Sequence, residues 1–331
     1  MTTLYLHIGN HRTATTSVQA FMLANWDALL ARGYFQPLRI ARHFALFNAI
    51  FAGRRTVEEV CQDLRQRADR HKVDIHSFLL SDEDVCMRAD LAPLAAFRDH
   101  FDVKVIFALR RQDLWLESWY LQNIKWQWNK ALAHLTLDEF MARADEFHWI
   151  HYDRLLTHLE TLFGRENVLP YVFEKAQMPQ GPVAAFCHQI GLTDLSGLTA
   201  APHANSSHSP GLAEFVRLLP LDQAPDKYRA RLEQALKKVD QKLNGAAGGH
   251  SSLLLDFETR LAVLAAHSAG NANVARRYFG REALFQEPLP PPDAALAQLT
   301  LPPDSAELMR DYVAPMFREL IRQFIDANPK T

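Results

Sequence analysis

The chain opens with the stretch Leu4-Tyr-Leu-His-Ile-Gly-Asn-His-Arg-Thr-Ala-Thr-Thr-Ser-Val-Gln19, in which alternating apolar residues run into a turn rich in hydroxyl groups. A helical pattern follows at once, from Ser17 to Leu30. In a strand-turn-helix unit of this kind, backbone N–H groups and the helix dipole converge on the turn and favour an anion there. We therefore predict a phosphate-binding loop at the start of the chain.

This loop differs from the ATP-binding loop of P-loop NTPases. That loop reads Gly, four residues, then Gly-Lys-Ser/Thr, whereas here Gly9 is followed by Ala14-Thr15-Thr16, so that threonine stands at the lysine position. The cation of this loop is Arg12, three residues after the glycine. The spacing therefore predicts an anion site of a different type.

With these residues the stretch resembles the sulfotransferase family, whose 5′-phosphosulfate loop reads Gly-x-x-Lys-Thr-Gly-Thr-Thr and binds 3′-phosphoadenosine 5′-phosphosulfate (PAPS). Arg12 replaces the lysine and Ala14 replaces the second glycine. Arginine keeps the charge but is longer and planar, and alanine is strained wherever the backbone needs a positive φ. The resemblance implies that the co-substrate PAPS is bound by Gly9, His11, Arg12, Thr13, Ala14, Thr15, Thr16 and Ser17.

A second motif follows the predicted strand Val103–Leu109, which ends in Arg110 and is followed eight residues later by Ser118. An arginine at the carboxyl end of a parallel strand faces the ligand crevice, and its fork of donors suits a phosphate dianion. Sulfotransferases are similar here too, because an arginine and a serine at this spacing hold the 3′-phosphate of their nucleotide. The resemblance implies that Arg110 and Ser118 hold the 3′-phosphate. It also implies that Arg277, farther along the sequence, contributes a positive charge to the same phosphate.

The segment between the two motifs offers candidates for a general base. Sulfotransferases carry a histidine or a glutamate near the acceptor, and here the strand Ser77–Leu80 is followed by Ser81-Asp-Glu-Asp84. We expect Glu83 to be the base and His43 to be the second candidate, with Arg12 neutralising the leaving oxygen. The alternative for Ser81 and Asp82 is that they cap a helix running toward Ala96.

The length and the hydrophobic pattern of the chain limit its possible architectures. The 331 residues, 48% of them hydrophobic, can bury a large core. Four apolar runs are separated by helical patterns, which predicts an α/β fold with a parallel sheet of four or five strands and helices on both faces. The runs are Leu4–Ile8, Ser77–Leu80, Val103–Leu109 and Val168–Phe173. We expect a single sulfotransferase-like domain over residues 1–331, with a nucleotide-binding core at 1–175 and a helical elaboration at 176–331.

The net charge and the residue composition limit the classes of partner that we expect. The net charge of −2 predicts no nucleic-acid or membrane partner, and the 15 histidines show no metal-ligand spacing, so no metal is expected. The three cysteines are far apart, and no apolar run approaches the ~20 residues of a membrane span. We expect a cytoplasmic protein.

These patterns predict a sulfotransferase that moves the sulfuryl group of PAPS to a hydroxyl of a carbohydrate or small metabolite and releases 3′-phosphoadenosine 5′-phosphate (PAP). Two alternatives stay open. A P-loop kinase would hold Mg²⁺ with Asp82, Glu83 or Asp84, although the usual lysine is missing. A nucleotide-binding protein without catalytic activity is favoured by Arg12 and Ala14. The sequence does not identify the acceptor or the oligomeric state.

Overall fold

A computed structural model describes residues 2–200, 208–246, 251 and 253–327 of the chain. Its sheet has five parallel strands in the order β2-β3-β1-β4-β5. The strands are β1 (Thr3–His7), β2 (Tyr34–Phe35), β3 (Ser77–Ser81), β4 (Asp102–Leu109) and β5 (Val168–Val172). The predicted α/β class with a parallel sheet is confirmed, while β2 was not predicted because two residues are too few to show an alternating pattern.

The strands are apolar because helices cover the sheet on both faces. Leu4 and Leu6 of β1 are fully buried, and every residue of β3 is buried. The central strand β1 pairs with β3 on one side and with β4 on the other. Since all five strands are parallel, their carboxyl ends share one edge, and the strand order changes direction at β1. This edge is where open α/β sheets bind ligands.

The helices lie between and after the strands. Between β1 and β5 they are α1 (Thr15–Ala24), α2 (Trp26–Ala31), α3 (Phe44–Phe51), α4 (Val57–Ala68), α5 (Gln112–Trp126), α6 (Leu137–Met141) and α7 (Tyr152–Phe163). After β5 they are α8 (Pro182–Gln189), α9 (Pro210–Arg217), α10 (Asp226–Ala246), α11 (Phe257–Phe279), α12 (Ser305–Leu308) and α13 (Ala314–Ala327), with a π-helical turn at Met309–Val313 between the last two.

The helix predicted from Ser17 to Leu30 is in fact two helices. Asn25 separates α1 from α2, with backbone angles outside the helical region. Its side-chain amide donates to the carbonyls of Phe21 and Thr199, both at 2.9 Å, and accepts from the N–H of Thr199 at 2.7 Å. The break is therefore stabilised by a contact between distant parts of the chain, which periodicity cannot reveal.

The expectation of one helix from Ser81 toward Ala96 is also wrong. Two 3₁₀ segments, Glu83–Met87 and Ala92–Asp99, occupy this region. Asp82 caps the first of them, its carboxylate accepting from the N–H of Asp84. The capping role of Asp82 was thus predicted correctly, but the helix it begins is short and tight, which keeps the acidic residues beside the end of β3.

The chain forms two compact units, and each is discontinuous in sequence. The first consists of Met1–Gln112, Asp145–Ala204 and Leu264–Pro288, and the second of Asp113–Ala144, Asn205–Val263 and Leu289–Thr331. The single domain with a nucleotide-binding core at 1–175 and a helical elaboration at 176–331 stays a prediction. In the first unit, the second half of α11 and the segment after it belong with the sheet.

Two side chains bind the late segment of the first unit to the sheet. Glu174, which follows β5, accepts hydrogen bonds from the N–H groups of Gln286 and Glu287 at 2.8 and 3.2 Å. Arg111, which follows β4, donates to the carbonyls of Glu287 and Pro288 at 3.1 and 3.3 Å. The segment is thereby held at the carboxyl edge of the sheet.

The second unit has a buried charged group at its centre. Arg260 of α11 is 1% exposed and donates to the carboxylates of Asp113 and Glu117 on α5. The Glu117 carboxylate also accepts from the N–H groups of Leu254 and Leu255, at 2.8 and 2.9 Å. These hydrogen bonds satisfy charges that would otherwise be costly to bury.

Among the described residues, no helix has the length and apolar character that crossing a bilayer requires.

Candidate active site

The loop after β1 keeps its backbone pairing with β4 for two residues beyond the strand. The N–H of Ile8 donates to the carbonyl of Ile106 at 3.1 Å, and the N–H of Ala108 donates to the carbonyl of Gly9 at 2.9 Å. Gly9 has a φ of +117°, and a Cβ there would lie 3.4 Å from the Cα of Glu83. Glycine is needed because the backbone angle disfavours any side chain and the loop passes close to Glu83.

Helix α1 begins at Thr15 with Ala14 as its N-cap and has no acidic residue in its first turn. The N–H groups of Ser17 and Val18 both donate to the carbonyl of Ala14, at 2.9 and 3.1 Å. The N–H groups of Thr15 and Thr16 precede these bonds, so they point out of the start of the helix. Together with the helix dipole they favour an anion at this point, and anion binding by this loop stays a prediction.

The side chains of the loop divide between internal contacts and the surface. Thr13 is fully buried and its hydroxyl donates to the carbonyl of Asn10 at 2.6 Å, so this hydroxyl stabilises the loop itself. His11 is buried, with Nε2 3.0 Å from Oδ1 of Asp84. Arg12 is half-buried, and burial lowers the pKa of its guanidinium. Thr16 is exposed on the first turn of α1.

Ala14 lies in the left-handed region, with φ 59° and ψ 25°. This is the case in which the replacement of glycine by alanine is strained, because the Cβ approaches the following carbonyl. Arg12 also has a positive φ, of 62°. The loop thus holds two non-glycine residues in a sparsely populated conformation.

Arg110 connects the two motifs that the sequence singled out. Its guanidinium Nη1 donates to the carbonyl of Arg12 at 2.5 Å and lies over the ring of Phe173, 5.7 Å from its centroid. The hydroxyl of the buried Tyr152 accepts from the N–H of Arg110 at 3.0 Å and donates to its carbonyl at 2.5 Å. The guanidinium therefore lies, on a fixed backbone, beside the predicted anion-binding loop at residues 9–14, called the anion loop below.

A third group of charges lies at the end of β3, where Arg42 meets Asp82, Glu83 and Asp84. Its Nε is 2.5 Å from Oδ1 of Asp82 and 3.5 Å from Oε2 of Glu83, and its Nη2 is 2.5 Å from Oδ2 of Asp84. Burial opposes the charged form, but the three carboxylates raise the pKa of Arg42 above its ordinary value. Burial also acts against ionisation of Asp84, yet His11 and Arg42 lower its pKa to about 2. All three acidic residues thus form ion pairs with Arg42.

The predicted base, Glu83, is buried beside the loop rather than turned to solvent. It is 8% exposed, and its Oε2 accepts from the side-chain amide of Gln19 at 2.6 Å. Gln19 also donates to the hydroxyl of Ser81 at 3.2 Å. Since Gly9 passes against the backbone of Glu83, the carboxylate and the anion loop are neighbours. Its role as a base stays a prediction.

His43 is poorly placed to act as a base. Its Nδ1 accepts from the N–H of Ser81 at 3.1 Å, so the neutral ring carries its proton on Nε2. That nitrogen has no hydrogen-bond partner among the described residues and cannot accept a second proton. Burial lowers the pKa of His43 to about 4, so the ring is neutral at pH 7. Between the two candidates, the geometry favours Glu83.

The remaining predicted residues, Ser118 and Arg277, lie on helices α5 and α11. Ser118 is buried in α5 within the second unit, whereas Arg110 belongs to the first. Arg277 lies on α11, with its Nε 3.0 Å from Oε1 of Glu160 and its Nη2 3.2 Å from Oδ1 of Asp153. A phosphate at Arg277 would compete with two carboxylates of α7. The roles of Ser118 and Arg277 toward a 3′-phosphate stay predictions.

Sequence reasoning missed Arg42, Gln19 and Tyr152. Arg42 directly precedes His43, and a lone arginine before a candidate histidine was a usable signal. Gln19 lies one turn into α1, on the face toward the sheet, where a buried amide needs a partner. Tyr152 starts α7, and its contact with Arg110 was not predictable from the sequence pattern because the two residues are 42 apart.

Across the described residues, no group of three or more histidine, cysteine or acidic side chains has the arrangement of a metal site.

Comparisons with known proteins give limited similarity. None of the protein-family models matches the chain. An uncharacterized protein of Archaeoglobus fulgidus is 22% identical over 213 residues, which are 62% of this chain and 55% of that protein. This chain therefore spans about half the length of that relative. In the crystal structure of a sulfotransferase from Alicyclobacillus acidocaldarius, 98% of the chain aligns with 68% of this one, with a TM-score of 0.40 and 15% identity.

Replacing Ala14 by glycine should stabilise the protein. Glycine removes the left-handed strain, about 1–2 kcal/mol, but adds about 0.4–1 kcal/mol of unfolded-state freedom. We expect a net gain of up to about 1.6 kcal/mol in the free energy of unfolding, measured in urea. The matched control is Ala20→Gly within α1, which should lose about 1 kcal/mol. A loss of stability in Ala14→Gly would contradict the left-handed assignment.

The free energy of unfolding should decrease as the pH is lowered, over a pH range that depends on the pKa values of two buried histidines. Burial lowers the pKa of His7 and His43 to about 4, from an ordinary value of 6.5. Between these pH values the unfolded chain binds protons that the folded chain does not, so stability is complete above pH 6.5 and is lost as the pH falls toward 4. Each histidine contributes a slope of about 1.4 kcal/mol per pH unit.

The variant His43→Asn tests this slope, because the asparagine oxygen can still accept from Ser81 but cannot bind a proton. Its free energy of unfolding, followed in urea from pH 7 to 5, should depend less steeply on pH by one proton. His188→Asn, which changes an exposed histidine of α8, should keep the wild-type slope. Equal slopes for all three proteins would contradict the assignment.

Proposed function

We propose that the protein is a sulfotransferase that moves the sulfuryl group of PAPS to a hydroxyl of a carbohydrate or small metabolite. The observation that carries the proposal is the contact of the Arg110 guanidinium with the carbonyl of Arg12, at 2.5 Å. It brings a strand-end cation beside an anion loop at the carboxyl edge of the sheet. A nucleotide with phosphate groups at both its 5′ and 3′ positions fits two neighbouring anion sites of this kind.

The acidic cluster supports sulfuryl transfer over Mg²⁺-dependent phosphoryl transfer. A kinase would hold its Mg²⁺ with carboxylates at the end of a strand next to the loop. Here Arg42 occupies Asp82, Glu83 and Asp84 at once, and a metal ion would have to displace its guanidinium. The loop also lacks the lysine that a kinase of this class would use.

In the proposed reaction, Arg12 acts on the leaving group and Glu83 acts on the acceptor. The acceptor oxygen attacks sulfur in line, the bond between sulfur and the bridging oxygen breaks, and PAP leaves with the electron pair. Arg12 neutralises the charge that grows on the bridging oxygen, and its half-buried position strengthens that interaction. The acceptor proton goes to the carboxylate of Glu83, which Gln19 holds at 2.6 Å beside Gly9.

The nucleotide preference tests the anion sites. We expect PAP to bind in the presence of EDTA at least ~10-fold more tightly than AMP, which corresponds to ~1.4 kcal/mol. Isothermal titration calorimetry measures both affinities. In Arg110→Ala the ratio should fall toward one, whereas Lys104→Ala, which removes a charge from the other end of β4, should keep it. Equal affinities in the wild type, or binding of ATP only with Mg²⁺, would overturn the sulfotransferase assignment.

The base is tested by Glu83→Gln, which keeps the shape of the side chain and removes its basicity. We expect turnover to fall by ~10² or more while PAP affinity changes little, because proton transfer matters only in the chemical step. Release of PAP from PAPS, with a panel of sugars, alcohols and phenols as acceptors, gives the rate.

Asp84→Asn is the control for Glu83→Gln, since Asp84 is also bound to Arg42. It should reduce turnover far less. If both variants lost the same activity, the effect would come from releasing Arg42, and Glu83 would not be the base.

A further inference from the structure

Helix α13 exposes a row of large apolar side chains. Phe317, Ile321, Phe324 and Ile325 are 54%, 56%, 69% and 61% exposed. Their spacing of four, seven and eight residues from Phe317 places them on one side of the helix. We call these four residues the α13 stripe. An amphipathic helix on a protein surface normally turns such a stripe toward the core.

The opposite side of α13 is polar, and it is the side that is buried. Glu319 and Gln323 are only 5% and 9% exposed. The amide of Gln323 donates to the carbonyl of Arg231 on α10 at 3.2 Å, and Lys242 near the other end of α10 lies 2.7 Å from Asp311. The polar side of α13 is thus held against an antiparallel α10, so the outward position of the stripe follows from specific contacts.

We propose that the α13 stripe is the contact surface between two copies of this chain. Burying the exposed surface of these four side chains would remove ~450 Å² per copy from solvent. Leu320 and the aliphatic parts of the flanking arginines bring the total for a symmetric pair to ~1,000 Å², the lower limit for a specific interface. The proposal concerns the second unit alone and does not depend on the proposed function.

Charge favours a second copy over an anionic membrane. Arg322 beside the stripe is 2.6 Å from both Glu319 and Asp326, and Arg310 is 2.9 Å from Asp311. A helix that binds anionic lipid carries an excess of cations along its apolar side, whereas α13 carries two arginines, Arg318 and Arg322, and two carboxylates, Glu319 and Asp326, so its net charge is zero.

A two-fold arrangement makes the stripe complementary to itself. If two α13 helices pack antiparallel with Ile321 at the axis, Phe317 of one copy lies opposite Ile325 of the other, Ile321 meets Ile321, and Phe324 lies level with Arg318 of the other copy. The two contacts are then identical, as a closed dimer requires.

Sedimentation velocity of the full chain tests the proposal. Because the interface is small, we expect the average mass to rise from that of one chain toward that of two between ~1 and ~200 µM protein. Ile321→Glu and Ile321→Lys should each remain monomeric over this range, because the axis brings like charges together. An equimolar mixture of the two should again form dimers. Leu218→Glu is the matched control, since Leu218 is 57% exposed in the same unit but lies outside α13, and it should behave like the wild type.

Three results would overturn the proposal. The first is a wild-type chain that stays monomeric at every concentration. The second is a dimer that persists in Ile321→Glu, or one that Leu218→Glu also abolishes. The third is a monomeric chain that co-sediments with phosphatidylserine vesicles through Ile321, which would assign the stripe to a membrane. Circular dichroism of each variant shows whether the fold is retained.

Discussion

The guanidinium of Arg110 donates to a backbone carbonyl in the loop after β1, and the candidate site depends on that hydrogen bond. The loop contains two non-glycine residues with positive φ, Arg12 and Ala14, a conformation that is costly without support. The support comes from β4, which holds Gly9 by its backbone and Arg12 by Arg110. The cation that would bind a phosphate is thus also a structural partner of the neighbouring anion loop.

On the other side of β1, at the end of β3, Arg42 has a role similar to that of Arg110. Without it, three carboxylates would lie together at the end of β3, partly buried, and their mutual repulsion would favour protonation. With it, each carboxylate has a cation partner and Glu83 is held between Gln19 and the guanidinium. The anion loop therefore lies between a strand-end cation at β4 and a partly neutralised acidic cluster at β3, and this asymmetry separates the leaving group from the acceptor in the proposed reaction.

The sequence predicted the features that depend on neighbours along the chain. Apolar runs located β1, β3, β4 and β5 to within about a residue, and the strand-turn-helix pattern located the turn between β1 and α1. Features that depend on distant contacts were missed: the break at Asn25, which Thr199 stabilises, and the contacts of Arg42 with the acidic cluster 40 residues away. The two units escaped prediction for the same reason, since helical periodicity identifies a buried face but not the element that covers it.

The segment at residues 264–288 has a consequence for the order in which the chain acquires structure. It is the last part of the first unit to be synthesised, and Glu174 and Arg111 hold it beside the ends of β5 and β4. A nascent chain that has completed all five strands still leaves Glu174 without these partners until more than a hundred further residues have left the ribosome. In vectorial synthesis the loop after β1 is thus made more than two hundred residues before the segment that completes the unit containing it.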